Sequence, residues 1–420
     1  MTPPASLARR LGTGDAVVIG LGSMIGAGVF AAFAPAAAAA GPWLLAGLAL
    51  AALVAFANAS SSAQLAAQYP RSGGTYVYGR ERLGEWPGFL AGWGFVIGKT
   101  ASCAAMALTF AAYAAPTGWE RLVAVLAVAA LVGVNALGVT RTALATRIIV
   151  TIVLAVLALV VVAALASPPS TAPVPAGVGT IGPLGVLQSA GLLFFAFAGY
   201  ARLATMGEEV RDPARTIPRA ILGALALAVV VYAVVGAALL LTLGPERLAS
   251  STEPLAEAAA IWPWTGPVVR IGAAAASLGA LLALIAGIGR TSLAMAREGD
   301  LPRMLAHVDP VRQVPRRAEI VLGAVVIVLV LVADLRSAIG FSSFGVLLYY
   351  LVANVSALTQ ERGFRLYPRV VAIGGALGCV LLVATLPLPS ILAGAAVFAV
   401  GAAYRLVRLG IAGRARAAGE

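Results

Sequence analysis

Charge is what this chain has least of. Only 11% of its 420 residues are Asp, Glu, Lys or Arg, against roughly 25% in chains that cover their surface with water-facing groups. No charged residue occurs from Ala16 to Pro70, and none from Ile148 to Ala201. Such stretches exclude an ordinary water-soluble fold. Reactive side chains are just as scarce. There is a single histidine, His307, and there are two cysteines, Cys103 and Cys379, far apart and each inside an apolar run. That excludes a disulfide framework and leaves no ligand set for a metal. A catalytic triad and a phosphate loop lack their components, and no soluble cofactor motif is present. The glycines of the first apolar stretch have no strand before them, so they are not a dinucleotide fingerprint. Lysine is nearly absent: Lys99 stands alone against 28 arginines.

What fills the chain is apolar, 61% by count. A helix crossing a bilayer needs about 20 such residues. Charge-free windows and their breakers predict an all-α integral membrane protein of about twelve spans, in contact with the lipid bilayer. Their centres lie near residues 26, 55, 102, 130, 156, 195, 231, 281, 326, 348, 378 and 397. Gly41-Pro42 divides the first charge-free stretch, and the proline-rich segment from Ser167 to Pro175 divides the second. The window from Ile320 to Ala333 is the shortest. The first stretch runs well past the apolar core of a secretion signal and reads as a true span.

The net charge of +12 points elsewhere than to nucleic acid once its placement is read. With an even number of spans both termini share one side. On that side fall 22 of the 29 cationic residues, from Arg9 and Arg10 through Arg80, Arg211 and Arg316 to Arg416. Arg121, Arg247, Arg270 and Arg336 fall opposite. Cytoplasmic loops are the ones enriched in Arg and Lys, so both termini are expected in the cytoplasm of a cell-membrane protein.

Two spans carry marks of interruption. The first reads Gly20-Leu21-Gly22-Ser23-Met24-Ile25-Gly26-Ala27-Gly28, and each glycine inside a helix costs up to about 1 kcal/mol relative to alanine. Glycines at this spacing also serve simple helix packing. An unwound break explains them better, because freed main-chain groups are tolerated at membrane depth only where they line a cavity. Amides at one half-helix end suit a carboxylate, and carbonyls at the other suit an ammonium. The sixth span carries Phe194-Phe195-Ala196-Phe197-Ala198-Gly199-Tyr200. The two features occupy matching places in successive five-helix halves, which is how inverted-repeat transporters build a midplane site.

At these residues the chain resembles the amino acid–polyamine–organocation (APC) superfamily of permeases. The segment Gly22 to Phe30 is similar to that family's first-helix signature. Tyr69 to Tyr76, Glu208 to Ala220, and Arg290 through Ala294 to Pro302 follow in family order. The resemblance implies two inverted five-helix repeats, residues 12–168 and 183–360, with discontinuous helices 1 and 6, and two extra helices within 361–406. It also implies alternating access, with the substrate carboxylate at Ser23, Ile25, Gly26, Ala27 and Gly28. The substrate amine falls at Ile19 and Gly20, with Phe197, Ala198 and Gly199, and Phe195 matches an aromatic gate position.

The usual coupling devices are missing. No lysine stands near Leu154 in the fifth span, and Gly289 sits where sodium-coupled relatives place a hydroxyl, although Thr291 and Ser292 follow. Lys99, in the third span, is the expected replacement, because a buried lysine gives up a proton far more readily than arginine does. Arg202 is expected as a structural partner of carbonyls or of Glu208, with the cytoplasmic exit or a substrate carboxylate as the alternatives. Arg290 is expected in a structural role or at the inner gate, and Glu208 with Glu209 in a cytoplasmic latch. No Asp or Glu lies deep in a span, and a polycation would need one to offset its desolvation. The expectation is therefore a secondary transporter, not an enzyme, for small neutral amino acids, either proton-coupled or an exchanger. The alternatives are a cationic amino acid or polyamine transporter, or a channel or membrane sensor on the same fold.

Overall fold

A computed structural model describes residues 11–70, 73–137, 143–168, 182–204, 206, 210–309, 312 and 314–417. The first half contains α1 (Thr13–Met24), α2 (Ala27–Ala31), α3 (Phe33–Ala40), α4 (Leu44–Gln68), α5 (Thr75–Leu83), α6 (Glu85–Ala114), α7 (Glu120–Ala136) and α8 (Ala143–Ala166). The second half brings α9 (Pro183–Phe197), a 3-10 turn (Ala198–Tyr200), α10 (Ala201–Ala204), α11 (Pro213–Ser250), α12 (Pro254–Ala258), α13 (Thr265–Arg297), α14 (Arg316–Val332) and α15 (Leu335–Leu358). α16 (Arg369–Thr385) and α17 (Leu388–Ala417) close the chain. An isolated parallel bridge joins Leu11 to Val210.

Nine segments among the described residues are long and apolar enough to cross a membrane. α7, α14 and α16 have 17 residues each, which at about 1.5 Å per residue makes them about 25 Å long. Each of the twelve expected centres falls on a helix, apart from residue 26, which falls on the interruption between α1 and α2. The short window at Ile320 gains its length by running back to Arg316.

Side chains sort as a bilayer requires. Leu53, Leu126, Leu165 and Val230 face outward, while α6 and α15 meet through glycines in the interior. A methyl group added at Gly345 would stand 2.7 Å from the Gly94 carbonyl oxygen, and one at Gly98 would stand 3.0 Å from the Ser342 carbonyl oxygen. Between helices in lipid the attraction is close packing, so small residues at the contact bring the backbones together.

A buried ion cluster fastens one end of this scaffold. Asp300 accepts from the Tyr76 hydroxyl at 2.9 Å, from Arg80 at 3.0 Å and from Arg405. Arg405 also reaches Glu85 at 3.1 Å and lies over the rings of Trp86 and Phe89. α5, α6, α13 and α17 are thereby joined at the end where the arginine-rich loops gather.

Candidate functional site

The first interruption is a full stop in the helix. The Ile25 N–H still donates to the Leu21 carbonyl, but Gly26 turns to φ −61°, ψ −126° before α2 begins. The second is milder than expected. Phe197, Ala198 and Ala201 keep right-handed helical dihedrals while the chain tightens into its 3-10 turn. The two places pack directly on each other. A methyl at Gly28 would stand 2.7 Å from Ala196 Cα, and one at Gly199 would overlap the Ser23 carbonyl. Only glycine allows backbones so close.

Beside this contact lies a cavity of about 690 Å³. Ile19, Gly22, Ser23, Ile25 and Gly26 line it from the first interruption, and Ala198, Gly199, Ala201 and Arg202 from the second. α6 contributes Phe95, Lys99 and Met106, and α13 contributes Ala276, Ala280, Arg290 and Thr291. The lining reaches Leu11, Gly73, Met206 and Ala294 at the arginine-rich end. Among the described residues it includes none from the loops at the opposite end. There the Phe30 and Tyr113 rings meet edge to face at 5.7 Å.

Main-chain oxygens at the interruptions are held by side chains. The Lys99 ammonium donates to the Ala198 carbonyl at 2.9 Å, and Tyr78 donates to the Ala204 carbonyl at 3.1 Å. The Ser23 hydroxyl donates to the Ile19 carbonyl at 2.9 Å. The Tyr232 hydroxyl lies 2.7 Å from the Met24 oxygen and 3.0 Å from the Ala196 oxygen. It carries one proton for two acceptors, so it bridges the interruptions by alternating or sharing.

Of the sequence-derived candidates, Ile19, Ser23, Ile25, Gly26, Lys99, Ala198, Gly199, Arg202 and Arg290 come together on the cavity wall. Gly20, Ala27, Gly28, Phe195 and Phe197 lie outside the lining. Gly20 faces Leu203 and Ala224, Gly28 faces Ala196, and Phe197 packs on Tyr232 with ring centroids 5.0 Å apart. Ala27 and Phe195 are buried in the core. Glu208 and Glu209, expected in a latch, lie outside the described residues.

Lys99, Arg202 and Arg290 are the charged residues of the lining, and no Asp or Glu contributes to it among the described residues. Glu319, buried on α14, is near enough to Arg290 for their charges to interact. No group of three His, Cys, Asp or Glu is placed to hold a metal among the described residues.

Sequence reasoning passed over Phe95 and Tyr232. Phe95 lies four residues before Lys99, which places both on one helix face. Tyr232 is the one hydroxyl-bearing side chain between Ala220 and Leu241, and a polar group deep in a span is a functional pointer in its own right.

Residues 11–400 match the amino acid permease family. The chain is 59% identical to an uncharacterized transporter of Mycobacterium tuberculosis, over 98% of this chain and 94% of that one. It is 27% identical to the branched-chain amino acid permease BcaP of Bacillus subtilis, over 85% of this chain and 82% of that one. Cationic amino acid transporter 4 of Homo sapiens is 29% identical, over 85% of this chain and 60% of that one. A match that runs through both interruptions and all the helices around the cavity makes this multi-pass membrane chain a member of the amino acid permease family, a family of transporters and not of enzymes.

Proposed function

We propose that this chain is a secondary permease of the cell membrane that carries small neutral amino acids by alternating access, with both termini in the cytoplasm. Twelve helices cross the bilayer. Residues 12–168 and 183–360 form the inverted repeats, and the last two helices, within 361–406, stand outside them. Ser23 and the segment from Ile25 to Gly28 receive the carboxylate. The carbonyls at Ile19, Gly20, Phe197, Ala198 and Gly199 receive the ammonium. Phe195, packed behind the cavity here, closes over the substrate in another state of the cycle. Among the described residues the cavity lining extends toward the arginine-rich end, as an inward-facing state's would. Lys99 supplies an exchangeable proton for coupling or for exchange, Arg290 belongs to the inner gate, and Arg202 to the exit.

One observation carries this reading. The cavity sits on both interruptions and has no carboxylate in its lining among the described residues. Main-chain dipoles suffice for a zwitterionic head. A cationic side chain would enter beside Lys99, Arg202 and Arg290 with no carboxylate in the lining, among the described residues, to offset its desolvation. The printed name of the human relative suggests cationic amino acids, and the three cations argue against that reading here.

Counterflow into liposomes containing the purified protein tests it. Saturable exchange of labelled alanine, leucine or valine is expected, with arginine and lysine at least about tenfold weaker, a difference of about 1.4 kcal/mol. Faster exchange of arginine than of any neutral amino acid would overturn the substrate assignment. Flux that never saturates would indicate a channel.

A further inference from the structure

The Ala198 carbonyl already has a cationic occupant. Lys99 is 6% exposed and lines the cavity, and its ammonium lies 2.9 Å from that oxygen. The N–H of Ala198 is taken up by the Phe194 and Phe195 carbonyls. Across the cavity the Ile19 carbonyl holds the Ser23 hydroxyl. Acceptors on both interruptions are therefore filled by the chain's own donors, and one of those donors is chemically an alkylammonium, the same group an amino acid would present.

Few charges stand near enough to steady it. Arg202 on α10 and Arg290 on α13 share the cavity. Cys103 follows one turn later on α6 and is buried. α15 brings Tyr349 against Phe95, with its hydroxyl turned to the Thr75 N–H. Glu319 of α14 faces Arg290, and Tyr76 of α5 and Arg405 of α17 both bond Asp300. α2 and α7 present no ionisable side chain to the cavity lining. Among the described residues the ammonium of Lys99 is held by a carbonyl dipole, and no carboxylate joins the cavity lining.

We propose that Lys99 is a tethered rival of the substrate's amino group. It occupies the Ala198 carbonyl in the empty carrier, and an arriving amino acid displaces it with loss of its proton. This rests on the amino acid reading above. Two ammonium groups on one oxygen repel strongly where the dielectric is low. The displaced Lys99 passes one proton from its Nζ to water at the arginine-rich end and becomes a neutral amine. Its freed lone pair then accepts a hydrogen bond from the substrate ammonium, so the rival becomes a partner. Charge balances: a zwitterion of zero net charge enters, one proton leaves to water, and the carrier's own charge falls by one.

The test uses the full chain in detergent. Thermal shift is followed with L-alanine and L-leucine, and with propionate and 4-methylpentanoate, which lack the amine. The range is about pH 6 to 8.5, below the titration of the free amino acid amine. One released proton makes apparent amino acid affinity rise about tenfold per pH unit wherever Lys99 is still protonated in the empty carrier, and the acids without an amine show no such rise. Lys99→Met should bind amino acids with a flat pH dependence. Lys99→Arg, whose charge cannot be removed, should fold and lose amino acid binding. Should Lys99→Met fail to fold, proton release by the native protein replaces it. One proton per bound amino acid is expected in weak buffer, and none would overturn the proposal. Native binding with no pH dependence and no proton release overturns this proposal alone. No stabilisation of the native protein or of folded Lys99→Met by any amino acid overturns the substrate reading along with it.

Discussion

At the first interruption the helix stops because Gly26 leaves helical space, at φ −61°, ψ −126°, and the chain starts again at Ala27. At the second, the chain keeps its right-handed turn and only tightens through Ala198–Tyr200. The first breaks through its own sequence, and the Met24 carbonyl beside it is held by Tyr232. The second depends on its neighbours: Tyr232, Lys99 and Tyr78, from three other helices, donate to the carbonyls of Ala196, Ala198 and Ala204. The first break is made locally at Gly26 and shares Tyr232 with the second, which draws also on Lys99 and Tyr78. A transporter that must move one half past the other gains from this asymmetry, since contacts between helices can be exchanged while a glycine kink stays in place.

The largest test of that contrast is Gly199→Ala. Its methyl overlaps the Ser23 main chain, which cannot swing aside as a side chain can. Overpacking of this kind costs about 2–3 kcal/mol, so uptake into liposomes should fall by roughly a hundredfold. Gly26→Ala meets the Ala280 methyl at 2.6 Å and main-chain oxygens only at 3.6 Å, and should lose less. Equal losses would erase the distinction between backbone and side-chain contact.

Tyr232→Phe comes next. It keeps the ring against Phe197 and removes the hydroxyl shared by the Met24 and Ala196 oxygens. A buried hydrogen bond is worth about 1 kcal/mol, so counterflow should slow about fivefold and the melting temperature should fall by a few degrees. Unchanged transport would mean that the two interruptions move without this link. Ser23→Ala removes a hydroxyl that bonds back along its own helix. Such bonds contribute little to helix stability, so an effect within about twofold on uptake is expected, and a larger one would show that the hydroxyl touches substrate. The smallest effect belongs to Asp15→Asn, one turn before Ile19 and outside the cavity lining. It weakens an ion pair with Arg147 that is partly open to solvent, worth about 0.5 kcal/mol, and should be visible in a melting curve but not in substrate affinity.

Legibility differed between the same two regions. The glycines from Gly20 to Gly28 announced the first interruption, because a helix loses stability at every one of them. Phe197-Ala198-Gly199 marked the place of the second but not its form. A 3-10 turn and an unwound segment demand similar residues there, and what chooses between them comes from α5, α6 and α11. Lys99 could be singled out as the only lysine, yet its partner could not be named. The carbonyl it reaches is 99 residues away along the chain. The resemblance implied Phe195 and Phe197 as site residues, yet here they face the core, because the rotation of α9 about its axis is fixed by what packs against it.

The sequence by itself determined that the chain lives in a bilayer, where its helices run and at which point the first of them gives way. Hydrophobic length and glycine content act locally, and no neighbour is needed to make them effective. The tertiary structure alone decided which oxygens face the cavity, which side chains fill them, and that Lys99 rests on the Ala198 carbonyl. Those outcomes depend on how distant helices rotate and pack against one another, and that arrangement is set by contacts between residues far apart in the chain.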